Sequence, residues 1–406
     1  MNVGLITIGN ELLSGFTVNT NASWLGQKLL QQGIPVTWHI TIGDEKSMIR
    51  KALDGIPENV AVVIITGGLG PTHDDVTFKT LLEYFNTEPV FDEAYWQELQ
   101  ERMSRRGLGL PEINRNQALR PKKGAVLPNE VGSARGLHLS NEHLEVFALP
   151  GVPREMKTMF QQAVLPKLTK QVSTRLHINT IRTTGIMESA LAEKMKSVLP
   201  PDSPVQMAYL PEFIGVNIRL VSQDKVALDQ LSQRIEEKAG KYIYGYGDTT
   251  LEEVVGQLLT EQKRTVATAE SCTGGLLSHR LTNVSGSSLY MMGGVIAYSN
   301  QVKMSQLKVK ESTLKQFGAV SKETAAEMAE GVRTLLKTDF GVAITGIAGP
   351  TGGTDTKPVG LVYIGLADGE DTWVKKYHFV KDRTLNKSLS SQAALNMLRL
   401  RLLNLV

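Results

Sequence analysis

Apolar and polar positions alternate along the first part of the chain in a pattern that is typical of repeated strand–helix units. Residues 2–8 and 60–65 are apolar runs of strand length, whereas residues 22–32 repeat their apolar positions with the period of a helix. Further strands and helices are predicted at residues 36–42, 46–53, 78–85 and 144–149. Continuous β-branched runs are typical of strands covered on both faces, so the pattern predicts a three-layer domain at residues 1–170 with a mainly parallel sheet.

The pattern changes at residues 171–246, where a small βαββα-type middle domain is predicted. Its strands are predicted at residues 177–183, 205–209, 215–221 and 242–244, and its helices at residues 188–198 and 225–239. This segment lacks the Gly-x-x-Gly loop with which some small domains clamp a nucleic-acid backbone. We therefore expect a spacer or oligomerisation role, with no nucleic acid as a partner.

Residues 247–406 return to alternating strands and helices, which predicts a second large α/β domain after a linker at residues 245–248. Helices are predicted at residues 251–261, from residue 275 to residue 281, at 323–336 and at 385–402. Strands are predicted at residues 265–269, 290–298 and 341–345, with an antiparallel pair at 359–366 and 373–379.

The composition fits a globular protein of this size. The 406 residues include 44 Lys+Arg and 41 Asp+Glu, and the net charge of +3 is too small for a dedicated nucleic-acid binder. A single cysteine, Cys272, excludes an intramolecular disulfide and a cysteine-built zinc site. Apolar runs stay well below the ~18 residues of a membrane span, and the N-terminus lacks the basic segment of a signal peptide. We expect no membrane as a partner and a cytoplasmic location.

Three glycine-containing loops follow predicted strands of the first domain, at residues 7–11, 66–75 and 149–155. The carboxyl ends of parallel strands form a ligand crevice, and glycines let backbone N–H groups approach a phosphate closely. The candidate ligand-binding residues are Gly9, Glu11, Gly67, Gly68, Gly70, Asp74 and Gly151. Asp75 is the candidate ligand of a divalent metal, Mg²⁺ or a transition metal, that would bridge to phosphate oxygens. The alternative is that Asp74 and Asp75 only cap a helix.

These loops resemble a known family. The run Gly9-Asn10-Glu11-Leu12-Leu13 and the segments 66–75 and 149–155 are similar to the N-terminal domain of the competence/damage-inducible protein A (CinA) family. The resemblance implies a molybdopterin-binding-like fold and ADP-ribose as the ligand. In some members, the domain hydrolyses ADP-ribose with a divalent metal, which yields AMP and ribose 5-phosphate.

The last domain carries a longer set of motifs. Ala-Glu-Ser-Cys-Thr-Gly-Gly at residues 269–275 links a predicted strand to a helix, and Gly-Ser-Ser follows that helix at 286–288. Tyr-Ser-Asn at residues 298–300 ends the next strand, one turn before Lys303, and Thr-Gly-Ile-Ala-Gly-Pro occupies residues 345–350. The set resembles the C-terminal domain of the same family, an amidohydrolase that converts nicotinamide mononucleotide to nicotinic acid mononucleotide and ammonia without a cofactor. The resemblance therefore spans the full chain.

The resemblance also implies roles for individual residues. Ser288 would be the nucleophile, Lys303 the base and Tyr298 a proton relay. The residues that would bind substrate or orient the dyad are Ser271, Thr273, Gly274, Gly275, Thr345 and Arg383. Among them, Arg383 would engage the substrate phosphate, and the N–H groups of Gly274 and Gly275 would meet phosphate or an oxyanion.

Amide hydrolysis needs a nucleophile, a base and an acid for the leaving ammonia. The last domain has two histidines, His279 and His378, and no Gly-x-Ser-x-Gly elbow, which argues against a Ser–His–Asp triad. A lysine of depressed pKa can activate a serine instead. From spacing alone, Ser288 can equally be a turn residue. Cys272 is a rival nucleophile, because a helix N-terminus lowers a thiol pKa, unless it is a small buried apolar residue.

Two function classes follow from these observations. One is an enzyme of pyridine-nucleotide salvage, an amidase with a possible ADP-ribose pyrophosphatase. The other is a non-catalytic nucleotide-binding or regulatory protein linked to competence. For either class, the family resemblance and the middle domain lead us to expect a homodimer.

Overall fold

The computed structural model describes residues 1–70, 76–105, 107, 109–170 and 176–405. The chain divides into two compact units, Met1–His177 and Ile178–Val406. The segment predicted as the middle domain therefore lies in the same unit as the last domain.

The first unit is an α/β domain of three layers. Its strands are β1 (Val3–Ile8), β2 (Val36–Ile42), β3 (Val62–Thr66), β4 (Pro89–Phe91), β5 (Leu119–Pro121), β6 (Ala125–Leu127), β7 (Gly136–Ser140) and β8 (Glu145–Leu149). Its helices are α1 (Asn10–Leu13), α2 (Thr20–Gln31), α3 (Lys46–Asp54), α4 (Thr77–Tyr84), α5 (Glu93–Arg105), α6 (Pro153–Met159) and α7 (Leu165–Thr169).

The main sheet of this unit has the strand order β2-β1-β3-β8-β7-β6. Strands β2, β1, β3 and β8 are parallel, and β7 and β6 continue the sheet antiparallel. One face of the sheet packs Ile6 and Ile65 against α3 and α4, and the other packs Leu5 and Ile64 against α2 and α6. This double coverage explains the apolar runs and confirms the predicted fold class of the first domain.

The second unit begins with the predicted small α+β arrangement. Its elements are β9 (His177–Thr183), α8 (Glu188–Met195), β10 (Gln206–Glu212), β11 (Gly215–Ser222), α9 (Lys225–Ala239) and β12 (Ile243–Tyr246). The strands form a sheet of order β10-β11-β9-β12. Leu228, Leu231 and Ile235 of α9 pack on Ile218 and Leu220 of β11, which gives this part its own core.

The rest of the second unit is the expected α/β domain. Its strands are β13 (Val266–Glu270), β14 (Met291–Ile296), β15 (Phe340–Gly346), β16 (Leu361–Ala367) and β17 (Thr372–His378). Its helices are α10 (Leu251–Glu261), α11 (Leu276–Thr282), α12 (Asn300–Leu307), α13 (Glu311–Phe317), α14 (Lys322–Leu336) and α15 (Arg383–Leu402). The sheet order is β14-β13-β15-β16-β17, with β14, β13 and β15 parallel and the last two strands antiparallel. The short helices α12 and α13 were not predicted, because neither has a long apolar face.

Within the residues that the structure describes, no helix is both long and apolar enough to cross a lipid bilayer.

A buried arginine ties the two parts of the second unit together. Arg399 of α15 is 2% exposed, and its guanidinium donates to the backbone carbonyls of Ile243 (2.8 Å) and Lys241 (2.6 Å). Asn396 also accepts from this guanidinium. These bonds give the strand entering from the middle part a fixed place against the last helix.

We predict that Arg399→Met lowers the free energy of unfolding by about 1–3 kcal/mol, because it removes the hydrogen bonds that a buried guanidinium donates to the Ile243 and Lys241 carbonyls. Arg264→Met is the matched control, since Arg264 forms an exposed ion pair with Asp339 that is worth about 0–1 kcal/mol. Thermal unfolding of the full chain checks both variants. If both variants change the melting temperature by the same small amount, the bonds of Arg399 do not stabilise the contact between β12 and α15.

Candidate active site

Three parallel strands of the second unit end at the same edge of the sheet. Ser271 directly follows β13, Tyr298 follows β14, and Thr345 lies near the end of β15. The registers of β13 with β14 and β15 set Glu270 beside Ile296 and Ile344. Ligands bind at the carboxyl ends of the strands in parallel α/β sheets, and the sequence motifs of this domain meet there.

The side chain of Lys303 lies inside this edge rather than on the surface. Lys303 begins the second turn of α12 and is 1% exposed. Its Nζ donates to the Ala297 carbonyl (2.6 Å), to the Tyr298 carbonyl (3.3 Å) and to Ser271 Oγ (3.1 Å). A protonated amine has three N–H groups and thus satisfies all three acceptors.

Burial lowers the pKa of Lys303 from 10.5 to about 8, with a smaller opposing effect from Cys272. Desolvation disfavours the charged amine, because water no longer stabilises its positive charge. Once neutral, the amine keeps two N–H groups for the two carbonyls, and its lone pair faces Ser271 Oγ. This is the geometry of a serine with an adjacent general base.

Ser271 is held by the turn that follows β13. It is 9% exposed, and its N–H donates to the Ile344 carbonyl (2.9 Å). The buried carboxylate of Glu270 accepts from the N–H groups of Gly275, Leu277 and Ser278 at 2.8 to 3.1 Å. Glu270 thus caps the first turn of α11 and fixes the loop that carries Ser271.

The two glycines of this loop do not offer the free N–H groups that the sequence predicts. The N–H of Gly275 donates to Glu270, and the N–H of Gly274 donates to the Ser271 carbonyl (3.1 Å). Both glycines have positive φ angles, 61° for Gly274 and 98° for Gly275, which explains why glycine is needed there. Both N–H groups are therefore already bonded within the loop, and their predicted contact with phosphate or an oxyanion stays a prediction.

Other groups of the same loop are better placed to receive a developing charge. In the described part of the chain, the N–H groups of Cys272 and Thr273 have no backbone acceptor, and the N–H of Cys272 contacts only the thiol of the same residue. The Oγ1 atom of Thr273 is also buried without a hydrogen-bond partner, although Thr273 is 0% exposed. Unpaired polar groups at such a site are available for a ligand.

The structure does not bring Ser288 to Lys303 within one chain. Ser288 is exposed on the 3₁₀ turn Ser287–Leu289, before the first residue of β14, whereas Lys303 follows the last residue of that strand. The six residues of β14 span about 20 Å, so Ser288 and Lys303 lie near opposite ends of this strand. Within one chain, Ser271 and not Ser288 is therefore the serine bonded to the Lys303 amine, and the Ser288–Lys303 dyad that the resemblance implies stays a prediction.

Two cations flank this edge. Arg383, at the start of α15, donates to the hydroxyl of Tyr298 (3.3 Å) and to the Gly349 carbonyl (3.0 Å). One helical turn later, the Lys387 amine lies near Gly274, where a Cβ would be 3.8 Å from Nζ. The sequence analysis missed Lys387, although its i,i+4 spacing from Arg383 places both on one helix face.

Two other predicted residues have structural partners. Thr345 is 1% exposed and its hydroxyl donates to the Ala319 carbonyl (2.7 Å), so that hydroxyl holds the loop after α13. Cys272 is buried, and burial raises the pKa of its thiol to about 12. A thiol of that pKa is protonated at neutral pH, which disfavours Cys272 as the rival nucleophile.

A cavity of about 1210 Å³ lies on the flank of this edge, between the middle part and the last domain. Leu276, Asp382 and Thr384 line it on one side, and Phe213 and Tyr244 line it on the other. Neither Ser271 nor Lys303 lines this cavity. We therefore place the candidate active site at the hydrogen-bonded pair of Ser271 and Lys303 and not in this cavity.

In the first unit, the glycine loops after β1, β3 and β8 meet at one sheet edge. The Asn21 amide donates to Thr66 Oγ1 (3.1 Å) and to the Gly151 carbonyl (2.8 Å), while its Oδ1 is buried without a partner. A small cavity of about 90 Å³ is lined by residues that include Glu11 and Gly151. It has room for a few atoms such as those of a phosphate group.

The other predicted residues of this edge lie close by or outside the described chain. Gly67 has a φ of 115°, and a Cβ there would strike the Ile8 carbonyl; a Cβ at Gly68 would strike Thr77. Gly9 donates its N–H to the Ile42 carbonyl (3.0 Å), and Gly70 ends the described loop. Asp74 and Asp75 lie outside the described residues. Among the residues described, no group of three metal-binding side chains comes together.

Three family models together cover nearly the whole chain, and they define a protein of three α/β parts. A "Probable molybdopterin binding domain" matches residues 4–170, a "Damage-inducible protein CinA KH domain" matches 179–245, and a "CinA C-terminal domain" matches 248–402. These matches confirm the fold class predicted from the sequence.

Full-length relatives identify the family. The chain is 44% identical to a CinA-like protein of Salinibacter ruber, over 98% of this chain and 99% of that protein. It is 39% identical to a CinA-like protein of Dictyoglomus thermophilum, over all of both chains. The chain belongs to the CinA family, as its loops and motifs predicted.

A solved structure, the competence/damage inducible protein CihA of Agrobacterium tumefaciens, is 37% identical and covers 37% of this chain and 94% of its own. The TM-score of this pair is 0.36.

We predict that Glu270→Gln destabilises the protein by about 1–3 kcal/mol, because an amide has one acceptor oxygen where the carboxylate has two. Glu261→Gln is the control, since Glu261 is exposed and its carboxylate accepts a hydrogen bond from the Gln257 side chain. Chemical denaturation of both variants measures the difference. A stability of Glu270→Gln equal to that of the control would contradict the role given to this carboxylate.

Proposed function

We propose that the last domain is an amidohydrolase that converts nicotinamide mononucleotide to nicotinic acid mononucleotide and ammonia. The observation that carries this proposal is the hydrogen bond between the buried Lys303 amine and Ser271 Oγ. The family resemblance of the motifs supplies the substrate. The alternative is a regulatory protein linked to competence that binds nucleotides without turnover.

In the proposed reaction, the neutral amine of Lys303 takes the proton of Ser271 as its oxygen bonds to the carboxamide carbon. The C–N bond then breaks, and the ammonia leaves with a proton that the lysine returns. Water attacks the resulting ester, and its proton passes to Lys303. The bond from the acyl carbon to Ser271 Oγ then breaks as Lys303 returns that proton to the serine oxygen, which releases the carboxylic acid product. One water is consumed for each ammonia that is released.

The surrounding groups fit the charges of this reaction. The N–H groups of Cys272 and Thr273 lie on the same loop as the nucleophile and can receive the oxyanion of the tetrahedral intermediate. Arg383 and Lys387 supply positive charge for the substrate phosphate. Tyr298, hydrogen-bonded to Arg383, is available as the proton relay that the motif implies.

We predict that kcat/KM rises with pH and levels off above an apparent pKa of about 8, because the base acts only when the amine is neutral. Ser271→Ala and Lys303→Met should each lower turnover by roughly a thousandfold or more, and the double variant should be little worse than either. Lys303→Arg should also fail, since a guanidinium stays protonated.

Cys272→Ala is the matched control and should keep most of the activity. Ammonia release from nicotinamide mononucleotide, measured for each variant across pH 6 to 10, tests the proposed amidase reaction. Full activity of Ser271→Ala, or no ammonia release by the wild-type protein, would contradict the proposal, and the second result would favour the regulatory alternative.

We also propose that the first domain binds ADP-ribose, with a divalent metal as the cofactor of its hydrolysis. The meeting of three glycine loops and the unpartnered Oδ1 of Asn21 support a ligand site at this edge. Glu11 is the carboxylate that lines the cavity there.

Calorimetric titration with ADP-ribose and Mg²⁺ should show binding that Asp75→Ala and Glu11→Gln each weaken about tenfold or more. Glu58→Gln should bind normally, because Glu58 precedes β3 at the other edge of the sheet. If ADP-ribose does not bind with Mg²⁺ or a transition metal, the glycine loops are structural turns only.

A further inference from the structure

A large cavity of the second unit takes no part in the proposed reaction. It is the cavity of about 1210 Å³ between the middle part and the last domain. Its walls come from the turn between β10 and β11, from β12, and from the helices α10, α11 and α15. Cavities that hold small molecules in proteins typically have volumes of about 300–1,000 Å³. The space is therefore large enough for a ligand of the size of a nucleoside.

Aromatic and aliphatic side chains form one part of this wall. Phe213 lies on the turn between β10 and β11 and is 81% exposed, although it borders a concave surface. Tyr244 of β12 is half-buried, and Leu276 and Leu385 line the same space. A large apolar side chain left in water at the rim of a cavity indicates a surface on which the ring of a ligand packs.

The two arginines of the wall already have carboxylate partners. The guanidinium of Arg280 lies 2.6 Å from the Glu252 carboxylate and also donates to the side chain of Gln392 (2.8 Å). The guanidinium of Arg182 lies 3.3 Å from the Glu212 carboxylate. Both guanidinium groups are thus committed to groups of the protein and not to the phosphate of a nucleotide.

Negative charge exceeds positive charge along the wall. Four carboxylates and two guanidinium groups line the cavity, and they belong to Glu212, Asp248, Glu252, Asp382, Arg182 and Arg280. The N-termini of two helices that border the cavity are already capped, α10 by Thr250 and α15 by Asp382. Because like charges repel, this wall disfavours a phosphate and favours a ligand with a positive charge.

The ring of Tyr244 lies among these charges. Burial raises the pKa of its phenol, while Arg182 and Arg280 act to lower this pKa and Glu212 and Glu252 act to raise it. The phenol therefore stays neutral at physiological pH. The face of a neutral aromatic ring attracts a cation, most strongly where water is excluded.

We propose that this cavity is a binding site for an unphosphorylated pyridinium nucleoside, a ligand that combines a flat aromatic cation with a sugar. Its charged ring is attracted to the faces of Tyr244 and Phe213 and to the surrounding carboxylates. The hydroxyl groups of Thr384 and Ser388 on α15 line the same space and are suited to a ribose. The choice of a pyridinium ring rests on the function proposed above, whereas the charge and shape of the cavity do not.

Helix α15 then distinguishes two related ligands by their charge. Arg383 and Lys387 lie on the side of the candidate active site, where they are suited to the phosphate of a nucleotide. Thr384 and Ser388 each follow one of these cations in the sequence and line the cavity instead. The phosphorylated and unphosphorylated forms of one compound therefore bind beside different faces of the same helix.

Calorimetric titration of full-length Ser271→Ala with nicotinamide riboside tests the site, with saturating nicotinamide mononucleotide present to occupy the active site. One riboside should bind per chain. Adding Phe213→Ala or Asp248→Lys should weaken this binding about fivefold or more, because the first removes a ring and the second reverses a charge of the wall. Both side chains are more than 80% exposed, so the fold tolerates these changes.

Two matched controls make the same kinds of change outside the cavity. Val226→Ala truncates an exposed apolar side chain, and Asp202→Lys reverses an exposed charge. Neither residue lines the cavity, so both variants should bind the riboside normally. Nicotinic acid riboside is the matched ligand, since it has the same ring and sugar with a carboxylate in place of the amide. It should bind about tenfold more weakly or worse, because its added negative charge meets the carboxylates of the wall.

The proposal is overturned if nicotinamide riboside does not bind, if Phe213→Ala or Asp248→Lys leaves its affinity unchanged, or if the two ribosides bind equally well. Absence of ammonia release from nicotinamide mononucleotide by the wild-type protein is a failure of the proposed function instead. The two cavity variants then still decide whether the riboside lies in this cavity.

Discussion

The chemistry of the second unit depends on one buried amine. Lys303 is almost completely removed from water, and two backbone carbonyls and one serine hydroxyl take its three donor positions. Burial lowers the pKa of this amine toward neutrality, and the two carbonyls fix its orientation, so that the position left on deprotonation faces Ser271. The carbonyls come from the chain that leaves β14, and the lysine comes from the helix that follows. The segment that follows β14 therefore supplies both the lysine that acts as the base and the two carbonyls that orient its amine.

Ser271 is positioned by the buried carboxylate of Glu270, which accepts backbone hydrogen bonds and takes no direct part in the proposed reaction. Glu270 stays buried beside the start of α11 because its oxygens accept several N–H groups, which would otherwise be unsatisfied at the helix terminus. The N–H of Gly275 donates to Glu270 and the N–H of Gly274 donates to the Ser271 carbonyl, whereas the N–H groups of Cys272 and Thr273 have no backbone acceptor and are left for a ligand. The glycine-containing loop at residues 271–275 has the sequence of a phosphate-binding loop, and in the fold it holds Ser271 in place.

The fold was largely predictable from the sequence, and the site was predictable only in part. Apolar runs such as residues 60–65 define buried parallel strands, and the antiparallel pair at the end of the sheet was predicted from two runs of the right length. The motifs identified Ser271, Tyr298, Lys303 and Arg383 as members of one site. The dyad of Ser288 and Lys303 is implied by the family resemblance, and no short motif shows that the whole of β14 separates these two residues within one chain. Lys387 and the capping role of Glu270 depend on contacts between separate elements, which no short motif records.

The central claim is that Ser271 carries the acyl group during amide hydrolysis, and trapping the intermediate tests it most directly. The full-length protein is mixed with nicotinamide mononucleotide, quenched in acid during turnover, digested with trypsin and analysed by mass spectrometry. The account predicts a nicotinate mononucleotide adduct on the peptide of residues 265–280, with fragmentation placing it on Ser271. An adduct on the peptide of residues 281–303, which carries Ser288, or on Cys272 would contradict it.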